Sequence, residues 1–181
     1  MSKPIKREIR KALTQITHKS LTTSNSLCWA RDNGSSCVYI RHNDIGIKVF
    51  CKYRRKPGTI HDEWRLLKQL HKKYPDIIAR PYAIGKMPYR INQWREGRYM
   101  AWVEEVYYIA MEHVDGYDFE EYARMYQVDS CMLIYALQID HPIFNEYDFH
   151  DTHGYNFRIS KNGDKLTIID LDPRYIEKIS A

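Results

Sequence analysis

The chain has 181 residues, of which 44% are hydrophobic, with 28 Lys/Arg against 23 Asp/Glu and a mean hydropathy of −0.61. That length suits one domain or one fold of two small lobes, and the apolar content excludes disorder over most of it. The net charge of +5 is uneven: residues 101–151 carry twelve acidic residues and one basic, whereas residues 48–73 carry nine basic and two acidic.

Residues 1–26 open as a charged, helix-like stretch and run into Ser/Thr/Asn, which predicts a basic arm and a linker. Three short β-rich runs follow at 27–30, 37–40 and 45–51, punctuated by the turn signals Asn33-Gly34 and Asn43-Asp44. Between Asp62 and Lys73, Trp64, Leu67, Leu70 and Tyr74 recur at three- and four-residue spacing, so the segment predicts a helix closed by Pro75. Residues 77–84 fit a fourth strand. The Tyr-, Trp- and Arg-rich stretch 86–104 reads as an irregular hairpin insertion, and 106–112 as a buried strand ending at Asp115-Gly116. Two helical stretches, 119–126 and 130–138, precede a loop over 150–156. Residues 157–160, the turn Asn162-Gly163 and residues 165–170 then predict a β-hairpin.

Several function classes are disfavoured at this point. No apolar run approaches the roughly 20 residues of a membrane-spanning helix. The basic first residues have no apolar stretch behind them to form a secretory signal. The four cysteines, Cys28, Cys37, Cys51 and Cys131, lack the Cys-x-x-Cys spacing of a zinc ribbon, and nothing in their pattern marks a disulfide framework. A reducing cytoplasm is the simplest expected location, a host's cytoplasm for a viral or effector protein. His150 and His153 stand three apart in a loop without a Cys or third His nearby, a poor zinc site. The basic regions read as a solvated face or as a lobe that attracts phosphates or an acidic partner, and no recognised nucleic-acid motif accompanies them.

Four segments together resemble the protein-kinase-like superfamily. They are Ile45-Gly46-Ile47-Lys48-Val49 on the third β-run, and Glu63 in the first turn of the helix. The other two are His150-Asp151-Thr152-His153-Gly154-Tyr155-Asn156 in the loop and Ile168-Ile169-Asp170 at the end of the hairpin. The Asp151, His153, Asn156 pattern is similar to that of aminoglycoside phosphotransferases and of small phage or bacterial Ser/Thr kinases. The resemblance implies an α+β, bilobal fold. Residues 1–26 would be an arm, 27–112 an antiparallel β-sheet N-lobe with one helix, and 113–181 a truncated, reduced helical C-lobe carrying the catalytic loop and a metal-binding hairpin.

By the same resemblance Lys48 would hold the phosphates of ATP, Glu63 would pair with it, and Asp151 would be the catalytic base. Asn156 and Asp170 would bind Mg2+, and Gly34, Ser35 and Ser36 would cover the phosphates as a reduced glycine-rich loop. Met111, Glu112 and Val114 would line the adenine pocket. The implied activity is Mg-ATP-dependent phosphoryl transfer by a minimal serine/threonine protein kinase that acts on, or is completed by, a protein partner. A pseudokinase or nucleotide-binding effector is the alternative, and a small-molecule kinase the third reading. The sequence departs from the family pattern at Phe149 and His150, where His and Arg are usual, and at Leu171-Asp172, where Phe-Gly is usual. Only eight residues follow Pro173, so no activation segment is expected and activity should not need its phosphorylation.

Overall fold

A computed structural model of the chain describes residues 3–22, 37–50, 57–95, 97–150 and 152–179. The run 27–30, the turn at 33–34, the proposed phosphate-covering residues Gly34, Ser35 and Ser36, and Asp151 lie outside them. The described residues form a mixed α+β structure with antiparallel sheets and five α-helices. Their contacts divide the chain into two units, residues 1–60 with 81–113 and residues 61–80 with 114–181.

In the first unit, α1 (Lys3–Thr22) accompanies a four-stranded antiparallel sheet of β1 (Cys37–His42), β2 (Ile45–Phe50), β3 (Pro81–Arg95) and β4 (Arg98–Glu112). The strand order is β1-β2-β4-β3. Asn43, in the left-handed region at φ 51°, turns β1 into β2 as its sequence signal predicts. One face of the sheet presents Ile45, Ile47, Val49, Met87, Val106 and Ala110, and they form a core with Ile9, Ala12 and Ile16 of α1. The charged N-terminal stretch therefore has an apolar side at helical spacing, and burying that side is what makes a helix this basic stable.

The stretch 86–104 is regular rather than irregular. An unbroken ladder runs from Lys86 opposite Tyr107 to Arg95 opposite Arg98. β3 is an edge strand, the place in a sheet where prolines such as those at 81 and 88 are tolerated. Met87 and Tyr89 alternate into the core, whereas Arg98, Tyr99, Met100 and Ala101 on β4 are all exposed, so no period-2 pattern marks that part of the ladder in the sequence.

The second unit takes in most of α2 (Pro57–Lys73), which starts earlier than its periodicity suggests, and α3 (Phe119–Tyr126), α4 (Ser130–Asp140) and α5 (Ile143–Glu146). Its strands are β5 (Gly116–Asp118), β6 (Tyr147–Phe149), β7 (Phe157–Ser160), β8 (Leu166–Ile168) and β9 (Ile176–Lys178). They pair as a β5-β7-β8 sheet and a β6-β9 pair. Asp118 starts α3 with a reciprocal capping box, its carboxylate accepting from Glu121 N–H at 2.8 Å. A side chain at Gly116 would sit 1.9 Å from the Ile159 carbonyl oxygen, so only glycine lets β5 lie this close to β7. Phe119 and Phe157 stack at 5.2 Å within the core.

The predicted strand 77–84 is split between sheets. Ile168 N–H donates to the Ile77 carbonyl at 2.7 Å, and Ala79 N–H donates to the Ile168 carbonyl, which pairs this segment with β8. From Pro81 onward the chain pairs with β4 instead.

Truncating Ile9 to Ala should remove a buried anchor between α1 and the sheet and cost about 2–5 kcal/mol. The exposed Lys6→Ala should change stability by no more than about 0.5 kcal/mol. Urea titrations of both variants check this, and equal costs would mean that α1 does not depend on its apolar side.

Lys73 at the end of α2 is paired with Glu146 in α5. The hydrogen bond holds the Glu146 carboxyl below its ordinary 4.5 and the Lys73 ammonium above its ordinary 10.5. The pair's contribution should be full between those ordinary values. It should fade as pH falls through the lowered carboxyl pKa or rises through the raised ammonium pKa. Melting temperatures of wild type and Glu146→Gln across pH should therefore differ most near neutrality and converge in acid.

Candidate functional site

Side-chain alternation along β2 sends Ile45, Ile47 and Val49 to the α1 side, and so Gly46, Lys48 and Phe50 to the other. On that second face Lys48 is only 2% exposed, in register with Tyr39 of β1 and Ile109 of β4. Its ammonium lies 5.5 Å from the centre of the Phe50 ring, within cation–π range. Met111 stands opposite Gly46 and is also buried. The Tyr39 ring lies across Gly46, where a Cβ would come within 1.9 Å of the phenol oxygen. That oxygen shares a 3.1 Å hydrogen bond with His113 Nδ1. The first unit thus offers a buried cation, a thioether and a tethered aromatic ring on one sheet face.

Glu112 ends β4. Val114 is buried, and its carbonyl accepts from Arg158 Nε at 3.2 Å; Arg158 also donates to the Gly116 carbonyl. A base edge meeting the backbone at Val114 would therefore find that carbonyl already engaged.

In the second unit the hairpin of β7 and β8 returns the chain to its start. Phe157 pairs with Ile168, and Ile169 N–H donates to the Asn156 carbonyl at 2.9 Å. Asn156, on the 3-10 turn Gly154–Asn156, and Asp170 are consequently neighbours. Both line a hollow of about 10 Å³ together with Phe149, Asp172, Tyr175 and Ile176. That is about the room one water or one small cation needs. An amide oxygen and carboxylates are hard donors of the kind Mg2+ takes alongside retained waters. Among the described residues no group of three His, Cys, Asp or Glu side chains is arranged as a metal site.

Asp172 is the functional-looking residue that the sequence reading passed over as a departure from Phe-Gly. It is 5% exposed, and its carboxylate accepts from Arg174 Nη2 at 2.7 Å and from Arg174 Nε and N–H at 3.1 Å. The hydrogen bond to Asp172 raises the Arg174 guanidinium pKa further. The signal was present as Asp172-Pro173-Arg174, since an Asp two residues before a backbone N–H is an Asx-turn. Glu63 is 2% exposed, on the stripe of α2 that also buries Ile60, Leu67 and Leu70. It groups with the second unit, whereas Lys48 belongs to the first.

No family model matches the sequence, and no curated protein matches it. A solved structure of the bifunctional kinase-methyltransferase WbdD is similar at a TM-score of 0.41 with 12% identity, over 87% of this chain and 34% of that one. A structure of monomeric WbdD gives 0.34 and 13%, over 78% of this chain and 33% of that one. The chain spans about a third of those structures, and likeness at this level carries no inference about its activity.

Replacing Arg174 by Met leaves the Asp172 carboxylate buried without its fork. Because the guanidinium is 49% exposed, the loss should be about 1 kcal/mol rather than that of a fully buried pair. Adding Asp172→Asn should recover part of it. Denaturant titration at neutral pH reads both effects, and an unchanged Arg174→Met midpoint would show that the fork contributes nothing.

Proposed function

We propose that the chain is a Mg-ATP-dependent phosphotransferase, a minimal kinase transferring to a Ser/Thr hydroxyl of a protein partner. The observation that carries this reading is the meeting of Asn156 and Asp170 at one small hollow, at the two ends of a single hairpin. Five residues before Asn156 stands Asp151, in the order of a kinase catalytic loop. Asn156 and Asp170 would hold Mg2+, which supplies neutralisation of phosphate charge when bound. Asp172, paired with Arg174, is assigned no part in holding the metal in this reading.

Each remaining residue has a stated task in this reading. Lys48, a compact cation on the second face of the sheet, meets phosphate oxygens, and Glu63 is its proposed acidic partner. Met111, the Glu112 carbonyl and the Val114 N–H receive the base, the Val114 carbonyl being held by Arg158. Gly34, Ser35 and Ser36 cover the phosphates with backbone N–H groups. Asp151 orients the acceptor hydroxyl and takes its proton. The hydroxyl oxygen bonds to the γ-phosphorus while the bond to the bridging oxygen breaks, and ADP leaves. Most of the catalysis is positioning and charge neutralisation. A nucleotide-binding effector without transfer is the second reading, favoured by the exposed apolar surface of α4, and the transfer assay below separates the two.

At a hundredfold excess over its dissociation constant, Mg-ATP should stabilise the fold by about 2.7 kcal/mol, a melting shift of about 5–10 °C. Asp170→Ala should lose the Mg2+-dependent part of that shift, and Lys48→Met should weaken it. Asp151→Asn should keep the shift but abolish transfer of labelled phosphate to protein. No shift in wild type, or an undiminished one in Asp170→Ala, overturns nucleotide binding. A full shift with no transfer to any protein leaves the effector reading.

A further inference from the structure

Helix α4 is apolar around most of its circumference. Eight of the eleven residues in Ser130–Asp140 are Cys, Met, Leu, Ile, Tyr or Ala, yet Ile134 is its buried residue. A helix of that composition is ordinarily covered on all sides. Instead Met132, Tyr135 and Ile139, at three- and four-residue spacing along one stripe, are 63%, 59% and 62% exposed. Met125 and Tyr126 at the end of α3, a helix in contact with α4, and Val128 between the two helices are exposed as well. Three large apolar side chains exposed along one helix stripe mark an interaction site rather than the scattered exposure of single residues.

The charge around the patch selects the occupant. No Lys or Arg occurs from 125 to 157, and the exposed carboxylates of Asp129 and Asp140 stand at the two ends of α4. On α3, Glu120 and Glu121 outnumber Arg124. A second copy docking through the same face would bring like charges together, and an anionic membrane would meet the same repulsion. A helix with an apolar stripe flanked by Lys and Arg satisfies both the stripe and its acidic ends. The Met132 thioether suits such a stripe because it adapts to differing apolar partners, and the Tyr135 ring offers a rigid apolar face with a polar tip.

We propose that the Met132, Tyr135 and Ile139 stripe of α4, extended by Met125 and Tyr126, docks a basic amphipathic helix of a partner protein. This surface lies within the second unit and does not depend on the nucleotide reading. The test titrates the full-length protein against a fluorescein-labelled peptide of Leu and Lys at helical spacing, and against its Leu/Glu counterpart, by anisotropy. The Leu/Lys peptide should bind, and binding should weaken as salt rises toward about 0.5 M, where exposed charges are screened. The Leu/Glu peptide should bind about tenfold more weakly or not at all. Met132→Ser with Ile139→Ser should lower affinity for the Leu/Lys peptide about tenfold or more. Both positions are exposed, so an unchanged melting temperature and circular dichroism spectrum will show that the fold is kept. Equal binding of both peptides, or no binding of the Leu/Lys peptide, overturns the proposal. So does a wild-type dimer in sedimentation that the double substitution renders monomeric, which would assign the face to a second copy.

Discussion

The backbone hydrogen bonds around Ile168 are the constraint on which the second unit depends. Its N–H donates to Ile77 and its carbonyl accepts from Ala79, while across β7 it stands opposite Phe157. These pairings tie the segment after α2 to the hairpin and fix where β8 ends. The next N–H, that of Ile169, reaches the Asn156 carbonyl, and so Asp170 emerges beside Asn156. Backbone pairing therefore places Asn156 and Asp170 side by side. Backbone groups taken out of water must find partners, and here that requirement is met by the Ile168 and Ile169 pairings.

In the first unit the equivalent constraint is the sheet's need for cover. The α1 side is closed by Ile9, Ala12 and Ile16. On the other side the buried side chains include a lysine, which no hydrophobic bookkeeping favours, because a desolvated ammonium must be compensated. Tyr39 lying across Gly46 and tethered to His113 shapes the same surface. A position where local consistency gives way in an otherwise well-matched sheet is where function is expected to reside.

Asp172 and α4 show opposite solutions to burial. The carboxylate is taken out of water and compensated at once by a guanidinium two residues away. The helix keeps an apolar stripe in water with carboxylates at both ends. The first is complete within the chain. The second is an energetic cost that a partner of opposite charge would relieve.

Local signals in the sequence determined much of this protein. The 3.6-residue period of Trp64, Leu67, Leu70 and Tyr74 marked α2. The dipeptides Asn43-Asp44 and Asn162-Gly163 marked two hairpin turns, and the closing of the second predicted that Asn156 and Asp170 would be neighbours. Each of these features is written in residues close along the chain. What only the tertiary structure decided is which faces are covered. Charge hid the apolar side of α1, exposure of 98–101 on both faces hid part of the regular ladder of 86–104, and one apolar run at 77–84 was divided between two pairings. The burial of Lys48 and of Asp172 was likewise invisible. Periodicity reports the shape a segment can take, whereas burial depends on which distant backbone edge or apolar face arrives to meet it, and that is not encoded in any short window.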